Sequence, residues 1–337
     1  MISIVIPVYN VAAYLKQCVE SVQKLTCDVE ILLIDDGSTD GSGELCDELA
    51  KTDSRIRVIH QSNSGLSAAR NTGICNSTGE YILFLDSDDF LDLAETEKVL
   101  SCCSSGADVI VGLYRNYYTH QNSYTPENSP ALLEVNGLIS TEQFLSVIPK
   151  DGQSCYMVAV RFISRRDTLI NNQLLFEPGI YHEDEEWTQR LLCTVQSVFV
   201  VHAWFYQYRQ ARSGAITSVV KPKNVWDTVT VMKKALQGIE KHAATTYKRE
   251  YLSYRAGQQY LSIMLKSDVL DRRGKKEIWR ILREHRDQCV PYLHGSLGTL
   301  AKILIKLLGV TAASVLLQLI RRFVGSLKNL IGRSGKS

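Results

Sequence analysis

The sequence predicts an α/β protein: a mostly parallel sheet flanked by helices, followed by a helical C-terminal region. Three observations carry that expectation. Short apolar runs alternate with helix-spaced segments through the first 115 residues, the βαβα pattern of a parallel sheet. Val29–Ile34 is nearly continuous in apolar character rather than alternating, as a strand covered on both faces must be. Polar and acidic residues cluster directly after the runs, where open parallel sheets bind ligands.

Taken in order, Ile2–Ile6 reads as the first strand. Val11–Leu25 has helical spacing with Leu15, Cys18, Val19 and Val22 on one face. Val29–Ile34 is the second strand, and Asp40 is placed to cap a helix through about Lys51. Ile56–His60, Tyr81–Leu85 and Asp108–Val111 continue the strands, with Leu66–Cys75 and Leu93–Cys102 as helices between them. The pattern then breaks. Residues 116–136, rich in Asn, Tyr, Ser, Thr and Pro, read as a long loop or a small excursion. Residues 141–148 read as a helix, Tyr156–Ile163 as a strand and Glu183–Cys193 as a helix. Helical patterns dominate from Asn224 to Arg286.

A chain of 337 residues with 45% hydrophobic and 22% charged residues is an ordinary globular composition, long enough for one large domain or two smaller ones. The formal charge of +2 gives no indication of a nucleic-acid partner. Nine cysteines, odd in number and without a C-x-x-C, argue against a disulfide framework or zinc site and for a reducing cytosol. The apolar Met1–Pro7 lacks a basic leader region and reads as a strand rather than a signal peptide.

Charge is unevenly placed. No Asp or Glu follows Asp287, and that tail carries seven Lys and Arg, so the remainder nets −5 against +2 overall. Within Leu297–Ile331 the longest uncharged run is Leu307–Ile320, fourteen residues between Lys306 and Arg321-Arg322. That is short for a bilayer span and suits a helix lying on an anionic membrane surface, with Gly309 placed to bend it. The alternative is a helix packed on the domain or in a dimer.

Four strand ends meet along one edge of a parallel sheet: Pro7-Val8-Tyr9-Asn10, Asp35–Asp40, Ser64–Asn71 and Asp86-Ser87-Asp88-Asp89. Carboxylates as close as Asp86, Asp88 and Asp89 repel unless a cation sits among them, and Mg²⁺ or Mn²⁺ there would also hold a diphosphate. An acidic turn or helix cap uses the same residues. A nucleotide fits this edge. Tyr9 offers a flat face for a base, Asp36 an acceptor for a base N–H, Gly37 and Gly65 close backbone approach, and Arg70 a counter-charge for a diphosphate. These sheet-edge segments contain neither G-x-G-x-x-G nor the G-K-[ST] of a P-loop, which removes dinucleotide and P-loop readings there.

These segments, Ile4-Val5-Ile6-Pro7-Val8-Tyr9-Asn10, Ile34–Asp40, Gly65-Leu66-Ser67-Ala68-Ala69-Arg70-Asn71 and Leu85–Asp89, together resemble the family 2 glycosyltransferases. Those are inverting, metal-dependent enzymes of the GT-A fold. The resemblance is strong over residues 1–115, weaker to about 217 and absent beyond. It implies a nucleotide-sugar donor, often UDP-linked, held by Pro7, Tyr9, Asn10, Asp36, Gly65, Arg70 and Asp86. Asp86 and Asp88 match a D-x-D motif, which implies Asp88 as direct ligand of Mn²⁺ or Mg²⁺ and Asp86 on ribose or acting through water. Asp89 is then left to cap the next helix.

The run Tyr181–Trp187 resembles the family's Glu-Asp pair before a helix and implies Asp184 as general base, with Glu183 the nearest rival and His182 bordering the site. An acidic first helical turn is the plainer explanation of the same residues. Trp187 reads as a core anchor before a sugar platform. Arg209 and Arg212, in Tyr206–Ser213 with Ile216-Thr217, either close over the diphosphate or belong to a basic surface loop.

The absence of Gln-x-x-Arg-Trp and of transmembrane spans argues for one sugar added per encounter. The expected organisation is a glycosyltransferase domain over 1–217 (1–115 binding nucleotide, 116–217 binding acceptor), a helical extension over 218–295 and a basic amphipathic tail over 296–337. The expected acceptor is a saccharide or lipid-linked saccharide in a polysaccharide pathway. The expected location is cytoplasmic, peripheral on the inner face of the cell membrane. A sugar nucleotidyltransferase would need a Gly-rich basic loop that Pro7–Asn10 replaces. A non-catalytic nucleotide-sugar-binding protein at the membrane would not need both acidic pairs intact.

Overall fold

Strand β1 (Ile2–Val8) is buried along its whole length, and a ten-stranded sheet extends outward from it. The computed structural model describes residues 1–127, 129–148, 158–210, 220–242 and 245–334. It divides into two compact units, Met1–Ala215 and Ile216–Ser337. In the first unit, β2 (Val29–Asp35) runs parallel to β1, β3 (Ile56–His60) lies parallel outside β2, and β4 (Tyr81–Phe84) flanks β1 on its other side, also parallel. Helices α1 (Ala12–Gln23), α2 (Ser42–Ala50) and α3 (Leu66–Asn76) make the crossovers. Leu15, Cys18, Val19 and Val22 of α1 are fully buried, the face that helical spacing selects. The order β3-β2-β1-β4 reverses direction between β1 and β4, a topological switch point. All four C-terminal ends therefore share one edge.

The sheet continues through later elements: β5 (Phe90–Leu91), α4 (Leu93–Ser101), β6 (Val109–Tyr118), β7 (Ser123–Pro126), α5 (Pro130–Leu133), β8 (Gly137–Ser140), α6 (Thr141–Val147), β9 (Phe162–Arg165), α7 (Arg166–Asn171), α8 (Glu183–Thr194) and β10 (Ser197–Arg209). Strand β9 is antiparallel to both β4 and β6, whereas β10 is parallel to β6, so the sheet is mixed, and it is wholly parallel over β1 to β4.

Three local expectations are corrected here. Residues 116–136 are not a long loop: β6 runs to Tyr118, β7 folds back on it, and α5 follows. The polar composition misleads because part of it is interior. The Glu127 carboxylate accepts the Tyr114 N–H at 3.0 Å and the Ser129 hydroxyl at 2.7 Å, and it pairs with the buried Arg161. The strand expected at Tyr156–Ile163 lies at Phe162–Arg165, after a 3-10 turn at Ala159–Arg161; positions 156 and 157 are outside the described residues. Helix α2 starts at Ser42 with Gly41 at its N-cap, not Asp40. Asp40, one residue earlier, accepts the Ser42 N–H through Oδ1 and the Ala12 N–H through Oδ2, each at 3.0 Å, so it serves the start of α2 and ties the start of α1 to the loop after β2.

The second unit is helical: α9 (Pro222–Lys241), α10 (Thr246–Lys266), α11 (Arg272–Glu284), α12 (Arg286–Cys289) and α13 (Gly295–Ser334). Gly309, at φ 75° and ψ 168°, interrupts α13 where a bend is expected. Ala301, Ile305, Val310, Ala313 and Leu317 of α13 are buried with Met232, Tyr260, Met264 and Leu282. One face of the basic tail thus forms part of the core of its own unit.

Candidate active site

The loops at the shared sheet edge are stitched together by their own polar side chains. Asn10, at φ 52°, accepts the Thr39 N–H at 2.8 Å and donates its backbone N–H to Ser38 Oγ at 3.2 Å. This joins the loop after β1 to the loop after β2 and leaves Tyr9 48% exposed beside them. Pro7 lies past the last β1–β4 pair, Val5↔Phe84, where a missing N–H costs the β4 ladder nothing.

Asp36 is 3% exposed. Its Oδ1 accepts from Gln61 Nε2 at 2.7 Å and the Ser64 N–H at 2.9 Å, and its Oδ2 accepts the Gly65 N–H at 2.8 Å. An ionised carboxylate has about four lone-pair positions, so Oδ2 keeps one for a further donor. Gly65 caps α3 at φ 88°, a backbone region that side-chain-bearing residues rarely occupy.

At the switch point the chain turns through Asp86-Ser87-Asp88-Asp89. Strand β10 holds this turn. Tyr206 Oη donates to Asp89 Oδ2 at 2.6 Å and accepts the Asp86 N–H at 3.3 Å. Arg209 donates its backbone N–H to Asp89 Oδ1 at 2.7 Å and its Nε–H to the Asp88 carbonyl at 2.7 Å. Asp89 is therefore not the cap of the next helix; Asp92 is, accepting the Glu95 N–H at 3.1 Å. Nor is Arg209 on a surface loop. It is 6% exposed, with its guanidinium against Tyr14, Phe90 and Tyr117 and bonded to Gln17 and Thr119. Arg212, Ser213, Ile216 and Thr217 lie outside the described residues.

Helix α8 is brought to the same edge by α3. Asn71 and Phe176 exchange hydrogen bonds at 2.9 and 2.7 Å. Trp187 is fully buried, stacked on Phe176 with ring centroids 4.7 Å apart, and is a core anchor. Arg70, 3% exposed, donates from Nη1 to Glu183 Oε1 and from Nη2 to Asp86 Oδ1, each at 2.8 Å. One guanidinium thus joins the D-x-D turn to the acidic start of α8. His182 caps that helix at φ 65°, and Asp184 Oδ1 accepts the Glu185 N–H at 2.8 Å.

Burial, then the charges of Glu183 and Glu185, pushes the Asp184 carboxyl above the ordinary carboxylate range, with Arg70 opposing. Burial and the neighbouring Asp88 and Asp86 push Asp89 well above its usual value. Tyr208, still 38% exposed, is pushed up to about 12 by lost hydration and by Asp89, Asp86, Asp88 and Asp184. Both acidic groups act on this one side chain.

The donor chemistry fits a hard divalent cation. Asp86 and Asp88 offer partly exposed carboxylate oxygens, one of them paired with Arg70, while Asp89 is committed to Tyr206 and Arg209. Among the described residues no three His, Cys, Asp or Glu side chains form a complete metal cage. A cation held by one or two carboxylates and completed by a diphosphate matches that arrangement.

Breaking a buried ion pair by removing one partner typically costs about 3–5 kcal/mol, because the remaining charge is stranded. Arg70→Met strands both Asp86 and Glu183, and a loss of that order is expected in urea unfolding at neutral pH. Unchanged stability would show that water reaches both carboxylates.

Sequence reasoning assigned no role to Tyr206, Gln17 or Asn71. Asn71 was visible inside a motif. Tyr206 opens the Tyr206–Ser213 segment, where attention falls on the arginines, and Gln17 carries no local signal.

Known proteins are similar to this chain in sequence and in fold. The family model Glycosyl transferase family 2 matches residues 3–169. The chain is 33% identical over 228 residues to glycosyltransferase GlyG of Streptococcus pneumoniae, covering 64% of this chain and 72% of that one. It is 32% identical over 225 residues to the uncharacterized glycosyltransferase EpsJ of Bacillus subtilis, covering 66% of this chain and 64% of EpsJ. The match to glycosyltransferase GlyA of Streptococcus pneumoniae spans only 38% of GlyA. The fold is similar to that of S. aureus TarS 1-349 in complex with UDP-GlcNAc, with a TM-score of 0.70 at 14% identity over 95% of this chain and 91% of that one. It is also similar to a Pyrobaculum calidifontis mannosyltransferase in complex with GDP-Man and Mn²⁺, at a TM-score of 0.51 and 11% identity over 94% and 86% of the two chains. The chain has the GT-A fold and belongs to glycosyltransferase family 2.

Proposed function

We propose that this glycosyltransferase moves one sugar per encounter from a nucleoside-diphosphate donor, UDP-linked by preference, to an acceptor hydroxyl with inversion. The observation that carries the reading is the Arg70 bridge, which sets the acidic pair of α8 beside the D-x-D turn. Tyr9, Asn10 and Pro7 border the base, Asp36 takes a base N–H through Oδ2, and Gly65 lets the backbone approach. Asp88 and Asp86 would hold Mn²⁺ or Mg²⁺, which when bound supplies positive charge to the departing diphosphate.

Asp184 accepts the acceptor's proton as its oxygen bonds to the anomeric carbon and the carbon–oxygen bond to the diphosphate breaks. Glu183 is the poorer base because its carboxylate is held by Arg70. Arg70 serves the diphosphate indirectly, by keeping Asp86 and α8 in place. Arg209 likewise fixes the metal-site turn from behind. The domain limits near residue 217 and the split into nucleotide and acceptor halves are part of this reading. So are a saccharide or lipid-linked acceptor and a cytoplasmic location against the membrane.

The test is incubation with a panel of nucleotide-sugars, with Mn²⁺ or Mg²⁺ and with chelator. Release of a free nucleoside diphosphate is expected only with the metal and in acceptor-dependent yield. Pyrophosphate instead would make the protein a nucleotidyltransferase. Donor bound but never turned over would make it a binding protein.

A further inference from the structure

We propose that the helical unit docks on an anionic bilayer through one continuous surface, in which α11 binds lipid phosphates and the outer face of α13 enters the acyl boundary. The proposal deepens the membrane-surface part of the functional reading and rests on it. Its first component is a groove of about 970 Å³ lined by Trp226, Arg273, Lys276, Arg280 and Arg283. Two acids also line it. Asp271 is occupied in capping α11, accepting the Gly274 N–H at 2.7 Å, and Glu277 pairs with Arg280. Arg273 and Lys276 are left without an ion-pair partner among the described residues. Cations in excess of acids beside an aromatic and an apolar wall suit a phosphate carried on a lipid.

The second component is the α13 face opposite the core. Ile303, Leu307 and Leu308 before the Gly309 break, and Val315, Leu319 and Phe323 after it, are 41–72% exposed. Val315, Leu319 and Phe323 recur at four-residue intervals and form one line on the helix. Thr311 begins that line, and it accepts a hydrogen bond from Arg283 Nη1 at 3.3 Å. Arg283 also lines the groove, so the cationic and apolar parts are contiguous.

Charge selects the occupant. No acidic residue follows Asp287, which favours an anionic lipid surface over a zwitterionic one or a second copy of a like-charged face. By length and hydropathy Gly295–Phe323 would be able to cross a bilayer. It is instead held on its unit: Gln318 donates to the Met264 carbonyl at 2.6 Å and Arg321 forks onto both oxygens of Asp268 at 2.9 Å. A spanning helix would have to surrender these bonds and the buried Ala301, Ile305, Val310, Ala313 and Leu317. The helix lies along the surface. Truncation after Gln288 is a poor probe for the same reason, since it removes a wall of the core.

The test is co-flotation of the full-length protein with phosphatidylcholine vesicles, with and without about one third phosphatidylglycerol. Binding is expected only to the anionic vesicles. Arg273→Gln with Lys276→Gln removes two cations and should weaken it about 30-fold. Leu319→Asp with Phe323→Asp, both at exposed positions, should weaken it at least as much. Nucleotide release with a soluble acceptor should stay unchanged in both variants, so failure of docking and failure of the transferase reading are separable. Equal binding to neutral vesicles, or binding indifferent to both pairs of substitutions, overturns the proposal. So does a dimer by light scattering that the α13 pair dissociates while vesicle binding is absent.

Discussion

Replacing Asp184 with Asn is expected to lower kcat by about 10²–10⁴-fold, the range a positioned general base contributes. The amide keeps the shape of the side chain and its acceptor for the Glu185 N–H, but it cannot take a proton. The loss should fall on turnover, with little change in donor affinity, because Asp184 belongs to α8 rather than to the nucleotide loops. Stability at neutral pH should be kept or slightly raised. A carboxyl whose folded value is raised above its unfolded value favours the folded state while protonated; that contribution is lost as pH rises through the raised value. Removing the ionisable group removes the penalty.

The same shift gives the pH profile a direction. A base works deprotonated, so kcat/KM of the parent enzyme should climb with pH above the ordinary carboxylate range, and that limb should vanish in Asp184→Asn. Glu183→Gln is the control. It removes the charge that pairs with Arg70 and should cost stability, and it should keep the limb while moving it to lower pH, because the Glu183 charge helps to raise the Asp184 carboxyl. Wild-type turnover in Asp184→Asn, or a limb that vanishes in Glu183→Gln, would transfer the role of base.

The two halves of the first unit differ in how much their sequence reveals. Strands β1 to β4 are short, apolar and punctuated by loop motifs, and each motif acts on the loop after the adjacent parallel strand: Asn10 on Thr39, Asp36 on Ser64 and Gly65. Local pattern and local structure coincide there. Past Tyr114 the core is held by groups that composition assigns to solvent. Glu127 and Arg161 lock a hairpin from inside, and the sheet closes on β10, whose partners β6, β8 and β5 are dispersed along the chain.

The site divides in the same way. Asp86, Asp88 and Asp184 were readable as a carboxylate set because adjacent acids are conspicuous. The role of Arg209 was not. It reaches the Asp88 carbonyl across 121 residues of sequence, and an arginine near a strand end looks like surface until its aromatic surroundings are known. Arg70 was legible as a cation at the edge, but not as the residue that binds the two acidic groups together.

Asp88→Ala should abolish metal-dependent nucleotide release, a loss of at least about 100-fold, since even residues that merely orient metal ligands cost 10–100-fold. The three carboxylates of the turn are not equivalent. Asp89 is buried, with Tyr206 on one oxygen and the Arg209 N–H on the other; Asp86 carries Arg70. Asp88 lies between them, partly exposed, its backbone carbonyl fixed by Arg209. Asp86, Asp89 and the main chain thus all hold the turn in place, and Asp88 is a partly exposed member of it.

A purely structural acid and a metal ligand predict opposite stability changes. Asp88 and Asp86 both contribute to raising the Asp89 carboxyl, so removing Asp88 should bring Asp89 back toward its usual range. Stability then falls less steeply as pH rises, and Asp88→Ala should unfold at the same or higher denaturant concentration than the parent at neutral pH. Added Mn²⁺ should raise the melting temperature of the parent in the presence of UDP and leave the variant unmoved. A variant that is destabilised, or that still responds to Mn²⁺ and still turns over donor, would place the cation elsewhere and make Asp88 part of the scaffold of the turn.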